Sequence, residues 1–141
     1  MGFGNPYGDA WLPKDTASAV SKLRSLGVNQ IALADTVGTA DAKLIKDVFS
    51  EIDEPDSLGL HLHSKPNEWQ EKIDIALDFG VAWFEGAFAG IGGCPFAEDD
   101  LVGNLPTEKV LPFLQKNDSV PQLTGSHLLA TKALEFAQNY A

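Results

Sequence analysis

Apolar residues recur along this chain in short blocks that switch between helical and strand spacing. After Pro13, which suits the first turn of a helix, Ala17, Val20, Leu23 and Leu26 follow at three-residue intervals, and Gly27 supplies a stop. A brief apolar run over residues 30–34 reads as a strand and ends in "ADTVGT". Leu44, Ile45, Val48, Phe49 and Ile52 then fall on one helical face. "EPDSLG" breaks that helix, and a second strand is expected over residues 58–63. Pro66 is expected to open a third helix with Trp69, Ile73, Ala76 and Leu77 inward and Gly80 as its stop. A third strand over residues 82–87 leads into "AGIGGCPFAEDDLVGN" at 89–104. Thr107 is expected to cap a short helix interrupted near Pro112, and Ser126 to cap a last one carrying Leu128, Leu129, Leu134 and Phe136.

The blocks repeat. "LGVNQIALADTVG" and "FGVAWFEGAFAGIGG" share a plan of helix end, Gly-Val, short apolar strand, then small residues and glycine, and "SLGLHLHS" is a looser copy. Strand centres spaced by roughly 25 residues have the length of βα units with short loops. Such units build a parallel sheet. Three parallel strands leave two open edges and want both faces covered. A closed (β/α)8 barrel takes about 250 residues. The expectation is therefore α/β, a partial barrel formed as a single domain over residues 1–141, or a subunit that completes its sheet by association. A free-standing three-stranded flavodoxin-like remnant ranks below it.

Composition narrows the function classes. The chain has 44% hydrophobic and 21% charged residues, a globular balance. Its formal net charge of −10, with no Lys/Arg cluster, would repel a phosphate backbone, so nucleic acid is not an expected partner. No apolar run approaches the roughly 20 residues of a membrane span, and no signal-peptide pattern follows Met1, so no membrane partner is expected. The single cysteine excludes an internal disulfide framework and fits a reducing cytoplasm.

Candidate chemistry gathers where strands end. In "HLHS", His61 and His63 lie two apart on a strand, so alternation sends both imidazoles to one face and Leu60 and Leu62 to the other. Two imidazoles so placed can share a divalent metal, or be inert polar residues at a strand end. Cys94 follows three glycines and precedes Pro95 on a loop suited to acid/base or nucleophilic work, although a lone cysteine is also an ordinary small hydrophobe. The glycines lack a following helix N-terminus and a nearby lysine, which argues against a phosphate loop. Asp35 lies just past the first strand, with helix capping as its simpler role, and Glu85 lies on the third. Ligands in parallel α/β folds collect at the carboxyl ends of strands, which brings Asp35, His61, His63 and the Cys94 loop to one rim. His127 and the tryptophans read as capping or packing residues.

In order and spacing, "FGNPYGD", "IALADTVGT", "HLHS", "GIGGCPFA" and "GNLPTE" resemble the second half of the hydroxymethylglutaryl-CoA lyases, metal-dependent lyases with a TIM barrel. The glycine-loop cysteine sets the resemblance apart from the related isopropylmalate and homocitrate synthases, which share the His-x-His. The resemblance implies that His61, His63 and Asn104 are ligands of Mg2+ or Mn2+. It implies Cys94, His61 and Asp35 as catalytic residues, with Cys94 on a loop that closes over an acyl-CoA substrate. The implied reaction is the retro-Claisen cleavage of 3-hydroxy-3-methylglutaryl-CoA to acetoacetate and acetyl-CoA, in which the acetyl-CoA enolate needs a proton that a thiol can supply.

Two departures qualify the resemblance. The family follows its His-x-His with an acidic residue, where this chain has Ser64, which leaves open how the two histidines are oriented. The family's first strand brings an Arg-Asp pair, and nothing here aligns with it; Met1 falls where the family's fifth strand is under way. The chain alone is therefore expected to be a truncated, inactive form that oligomerises or complements a separate first half. A lyase or aldolase acting on a related acyl-CoA or 3-hydroxy acid, and a non-catalytic half-barrel remnant, are the rival expectations.

Overall fold

The computed structural model describes residues 1–93, 102–117, 120–121 and 125–140. In chain order the main elements are α1 (Pro13–Ser25), β1 (Ile31–Ala34), α2 (Ala42–Ser50), β2 (Leu58–His61), β3 (His63–Ser64), α3 (Trp69–Asp78), β4 (Trp83–Glu85), β5 (Gly103–Asn104), α4 (Thr107–Lys116) and α5 (Ser126–Tyr140). Among the described residues no helix is long and apolar enough to cross a membrane.

The glycines read as helix stops act as such. Gly27 and Gly80 take positive φ values of 85° and 75°. In each case the following valine reaches back five residues, Val28 N–H to the Leu23 carbonyl and Val81 N–H to the Ala76 carbonyl. This left-handed cap satisfies carbonyls the helix leaves orphaned and turns the chain toward the next strand. The two clearest copies of the repeat therefore share a cap as well as a sequence. The looser copy does not: Gly59 lies inside β2, where its lack of a side chain admits the Trp83 indole.

β1, β2 and β4 form a parallel sheet in that spatial order. Ile31 pairs with Leu58, Leu33 with Leu60 and Leu60 in turn with Phe84, and these side chains form one face. α1, α2 and α3 lie side by side against it. Val20, Ile45, Val48, Phe49, Ile73 and Ala76 join that face in a common core. Burial of this kind contributes about 25 cal/mol for each Å² removed from water, which is what holds short helices of this length. Consecutive strands with the helices that connect them on one side is a singly wound arrangement. The sheet's other face carries two cross-strand rows, Ala32–Gly59–Trp83 and Ala34–His61–Glu85.

Further segments extend the sheet at its carboxyl end. The Gly2 N–H donates to the Ala34 carbonyl at 2.7 Å, beside β1. Past β4, Ala87 bridges Pro106 in parallel. Between β4 and α4 lies a cavity of about 310 Å³ lined by apolar residues such as Trp83, Phe84, Leu111 and Leu114.

Several expectations need correction. Leu23 and Leu26 of the first helical block are 40% and 72% exposed, whereas Val20 is buried. A three-residue interval falls short of a full turn, so the side chains rotate progressively off the core face. The third helix starts at Trp69, three residues beyond Pro66, after a turn. α4 is uninterrupted at Pro112, and Thr107 is its first helical residue after Pro106 rather than its cap. Burial of Val110 and Leu114 on either side offsets the missing N–H of Pro112. α5 begins at Ser126 itself, with the Leu128 N–H on the Gly125 carbonyl. Its Leu128, Leu134 and Phe136 are exposed.

Gly59 gives a direct test of the sheet packing. A Cβ there would lie 2.2 Å from the Trp83 ring, so Gly59→Ala must displace the indole. The expected result is a loss of about 1–3 kcal/mol in urea denaturation, with a shift in tryptophan emission. An unchanged midpoint would contradict the packing described.

Candidate functional site

The row Ala34–His61–Glu85 ends at the carboxyl rim of the sheet, and the parallel register sets Glu85 directly beside His61. His61 Nδ1 donates to Glu85 Oε2 at 2.9 Å. A carboxylate only accepts, so in the neutral ring this contact fixes the proton on Nδ1 and leaves the Nε2 lone pair free of it.

At Leu62 the chain leaves the parallel sheet. The strand expected over residues 58–63 therefore divides into β2 and β3, and β3 pairs antiparallel with β5. His63 is buried at 4% exposure, while the His61 side chain is 35% exposed. The two rings stand edge to face with centroids 5.2 Å apart. His63 Nδ1 donates to the Asp35 main-chain carbonyl at 2.6 Å, which again places the proton on Nδ1. Both imidazoles are thus oriented through Nδ1, by Glu85 in one case and a carbonyl in the other. This is the arrangement that presents Nε2 to a metal. Ser64 takes no part in it, since its hydroxyl donates to the Lys65 carbonyl.

Asn104 stands opposite His63 in the β3–β5 ladder, and directly opposed residues of an antiparallel pair share a face. Its Nδ2 donates to the Ile91 carbonyl at 2.9 Å, leaving the side-chain oxygen as the atom suited to a hard cation. Among the described residues no group of three or more His, Cys, Asp or Glu side chains is suited to hold a metal. His61, His63 and Asn104 offer two imidazoles and an amide oxygen, donor types compatible with a divalent cation.

A run of glycines suggests a mobile loop, but the described part of this one is closely packed. A Cβ at Gly90 would lie 2.9 Å from the Asn104 carbonyl oxygen, and one at Gly103 would lie 2.6 Å from that of Gly90. One at Gly93 would lie 2.9 Å from the Val102 carbonyl oxygen. These glycines permit close approach of two backbone segments and fasten the loop's base against Asn104. Cys94 falls in residues 94–101, outside the described residues.

Asp35 is 1% exposed. Its carboxylate accepts N–H donors from Thr39 and Ala40 at 3.0–3.2 Å and so organises the "TVGTA" turn. The helix cap proper is Asp41, which accepts from the Leu44 N–H. Sequence reasoning passed over Lys72, on α3 and 6% exposed, whose Nζ donates to the His63 carbonyl at 2.8 Å. Lys72 lies three residues after Trp69 and four before Ala76, on the face read as inward, so the position carried the signal although the residue type did not.

Burial holds both charged groups toward their neutral forms. It raises the Asp35 carboxyl above its ordinary value, against the Ala40 and Thr39 hydrogen bonds and the charges of Lys72 and His63. It lowers the Lys72 ammonium, despite attraction from Asp35, Glu68 and Asp41. A lysine lowered in the folded state loses its proton before the unfolded chain does. The stability contribution of Lys72 is then fully present above the ordinary value of 10.5 and is lost as pH falls through the folded value. The urea midpoint of the wild type should therefore rise relative to that of Lys72→Met as pH is raised toward 10.5. Parallel pH courses in the two proteins would contradict this.

No family model matches the chain. It is 32% identical over 115 residues to the mitochondrial hydroxymethylglutaryl-CoA lyase of Macaca fascicularis, covering 79% of this chain and 35% of that protein. It is 33% identical over 115 residues to the cytoplasmic 3-hydroxy-3-methylglutaryl-CoA lyase of Danio rerio, covering 79% of this chain and 34% of that protein. The solved HMG-CoA lyase of Brucella melitensis superposes with a TM-score of 0.81 at 28% identity, over 96% of this chain and 48% of its own. That of Acinetobacter baumannii, determined with coenzyme A and 3-methylmalate, gives 0.71 at 29% identity over 91% and 43%. The chain spans about a third of the curated relatives' length and under half of the solved structures. The parallel sheet with its outer helices is part of a TIM barrel, as expected. By sequence and by fold, this chain is a relative of the hydroxymethylglutaryl-CoA lyases, matching one partial segment of them.

Proposed function

We propose that this chain holds a divalent cation, Mg2+ or Mn2+, through His61, His63 and Asn104, and serves the cleavage of 3-hydroxy-3-methylglutaryl-CoA to acetoacetate and acetyl-CoA. The observation that carries the reading is the pair of imidazoles, each tied through Nδ1 to an acceptor and each left with a free Nε2 lone pair. Kinship with lyases named for this substrate supports the reaction class, and the solved relative bound to coenzyme A supports an acyl-CoA ligand. A cation held there supplies Lewis acidity toward the substrate's tertiary hydroxyl.

The chain's own residues divide the remaining work. His61, half-buried at the rim, would give its Nε2 lone pair to the cation while Glu85 accepts its Nδ1–H, so the hydroxyl proton passes to another base. Asp35 acts as a positioning residue, through its carbonyl on His63. Cys94 protonates the departing acetyl-CoA enolate, and the single thiol supports a reducing, cytoplasmic setting.

The developing oxyanion also needs a fixed cation. The chain's one arginine, Arg24, donates to the carbonyls of Asp53 and Glu54 before β2, at the opposite end of the sheet from His61. The arginine that the resemblance implies is therefore supplied by another polypeptide or a further part of the protein: a second copy, or a segment that completes the barrel. The open face and edges of the sheet favour such an association.

The test combines Mn2+ titration with an acetoacetate assay, using the chain alone and with a first-half segment bearing an Arg-Asp pair. Mn2+ binding by the chain alone, and acetoacetate only from the mixture, is the expected result. Mn2+ binding without acetoacetate from any mixture would favour a related acyl-CoA or 3-hydroxy acid substrate, or a non-catalytic remnant. No Mn2+ binding would overturn the proposal.

A further inference from the structure

Lys72 lies within α3 on the face that carries Ile73 and Ala76 into the core. A long side chain there could reach outward along the apolar surface and leave its ammonium in water. Instead Nζ is turned inward onto the main-chain carbonyl of His63, at 2.8 Å. That residue stands where the chain has just left the parallel sheet for the β3–β5 ladder. The same histidine is held from its other side by the Asp35 carbonyl on Nδ1. Asp35 in turn supplies the largest opposing charge for Lys72. Backbone and ring of His63 are thus fixed from two sides, by the Lys72 ammonium and by the Asp35 main chain.

An apolar residue of similar volume would fill the space without the cost of removing an ammonium from water. A lysine retained there has a positional use. We propose that Lys72 is a positioning residue for the cation site: by fixing the His63 carbonyl it keeps that ring's Nδ1 on Asp35 and its Nε2 directed to the cation. The proposal rests on the reading of His63 as a cation ligand.

Two readouts on the full chain test it, one of them independent of metal. Long-range 1H–15N correlation of the histidine rings in metal-free protein should show His63 as a single Nδ1–H tautomer. In Lys72→Met the Nε2–H form should become populated, and Mn2+ affinity, read from the free-ion EPR signal, should fall by about tenfold or more. Both should occur with the far-UV circular dichroism of the wild type. A folded Lys72→Met with one tautomer and wild-type Mn2+ affinity would overturn the role of Lys72. Should that variant fail to fold, Lys72→Gln, which keeps an N–H donor of shorter reach, is read the same way: tautomer and affinity shift together, or the proposal falls. A wild type that binds no Mn2+ would overturn the cation reading instead, and the tautomer measurement still decides whether Lys72 positions His63.

Discussion

Replacing His61 by alanine lowers Mn2+ affinity by about 100-fold or more and leaves the chain folded. Removing a residue that merely orients a ligand typically costs 10–100-fold in metal affinity, so removing the ligand itself should reach or exceed the upper end. The fold should survive because the His61 side chain is 35% exposed and bonds to half-exposed Glu85. Glu85→Ala is the internal comparison. It leaves the imidazole in place but frees its tautomer and rotation, and the expected loss is smaller, about tenfold. EPR titration of the three proteins checks the order. Equal losses in the two variants would show that Glu85 is itself a ligand or that His61 is not one.

The second large effect is on stability. Asp35→Ala should destabilise the chain by about 2–3 kcal/mol, because it removes a buried carboxylate whose charge opposes that of Lys72. The N–H groups of Thr39 and Ala40 lose their acceptor as well. Domains of this kind have only about 5–15 kcal/mol in hand, so the variant should lie closer to its unfolding transition. Adding Lys72→Met should restore part of the loss, since the orphaned charge is then gone. A double variant less destabilised than the sum of its single changes is the expected coupling. Urea denaturation measures it, and a single-variant loss under about 1 kcal/mol would contradict the burial argument.

Features set by local chemistry were the ones legible in the sequence. The Gly-Val stops announced themselves because a left-handed cap depends on a glycine and the residue after it. The order of helices and strands followed, and with it the rim where Asp35, His61 and His63 lie; Asn104 was named only by the family resemblance. Features set by register were not legible. Glu85 orients His61 from 24 residues away. That partnership becomes visible only once β2 and β4 are aligned. The departure of the chain from the sheet at Leu62 was hidden because Leu60 and Leu62 are both fully buried, as a continuous strand would also have them. Lys72 was passed over because lysine usually marks a solvated face. The glycines before Cys94 misled in a different way. Glycine permits both mobility and close approach, and composition alone does not say which a chain exploits.

Pulsed EPR of the Mn2+-loaded chain tests the cation site most directly. Nitrogen couplings from two imidazoles, falling to one in His61→Ala, are the predicted result. A Mn2+ spectrum with no nitrogen coupling, or one unchanged by His61→Ala, would contradict it.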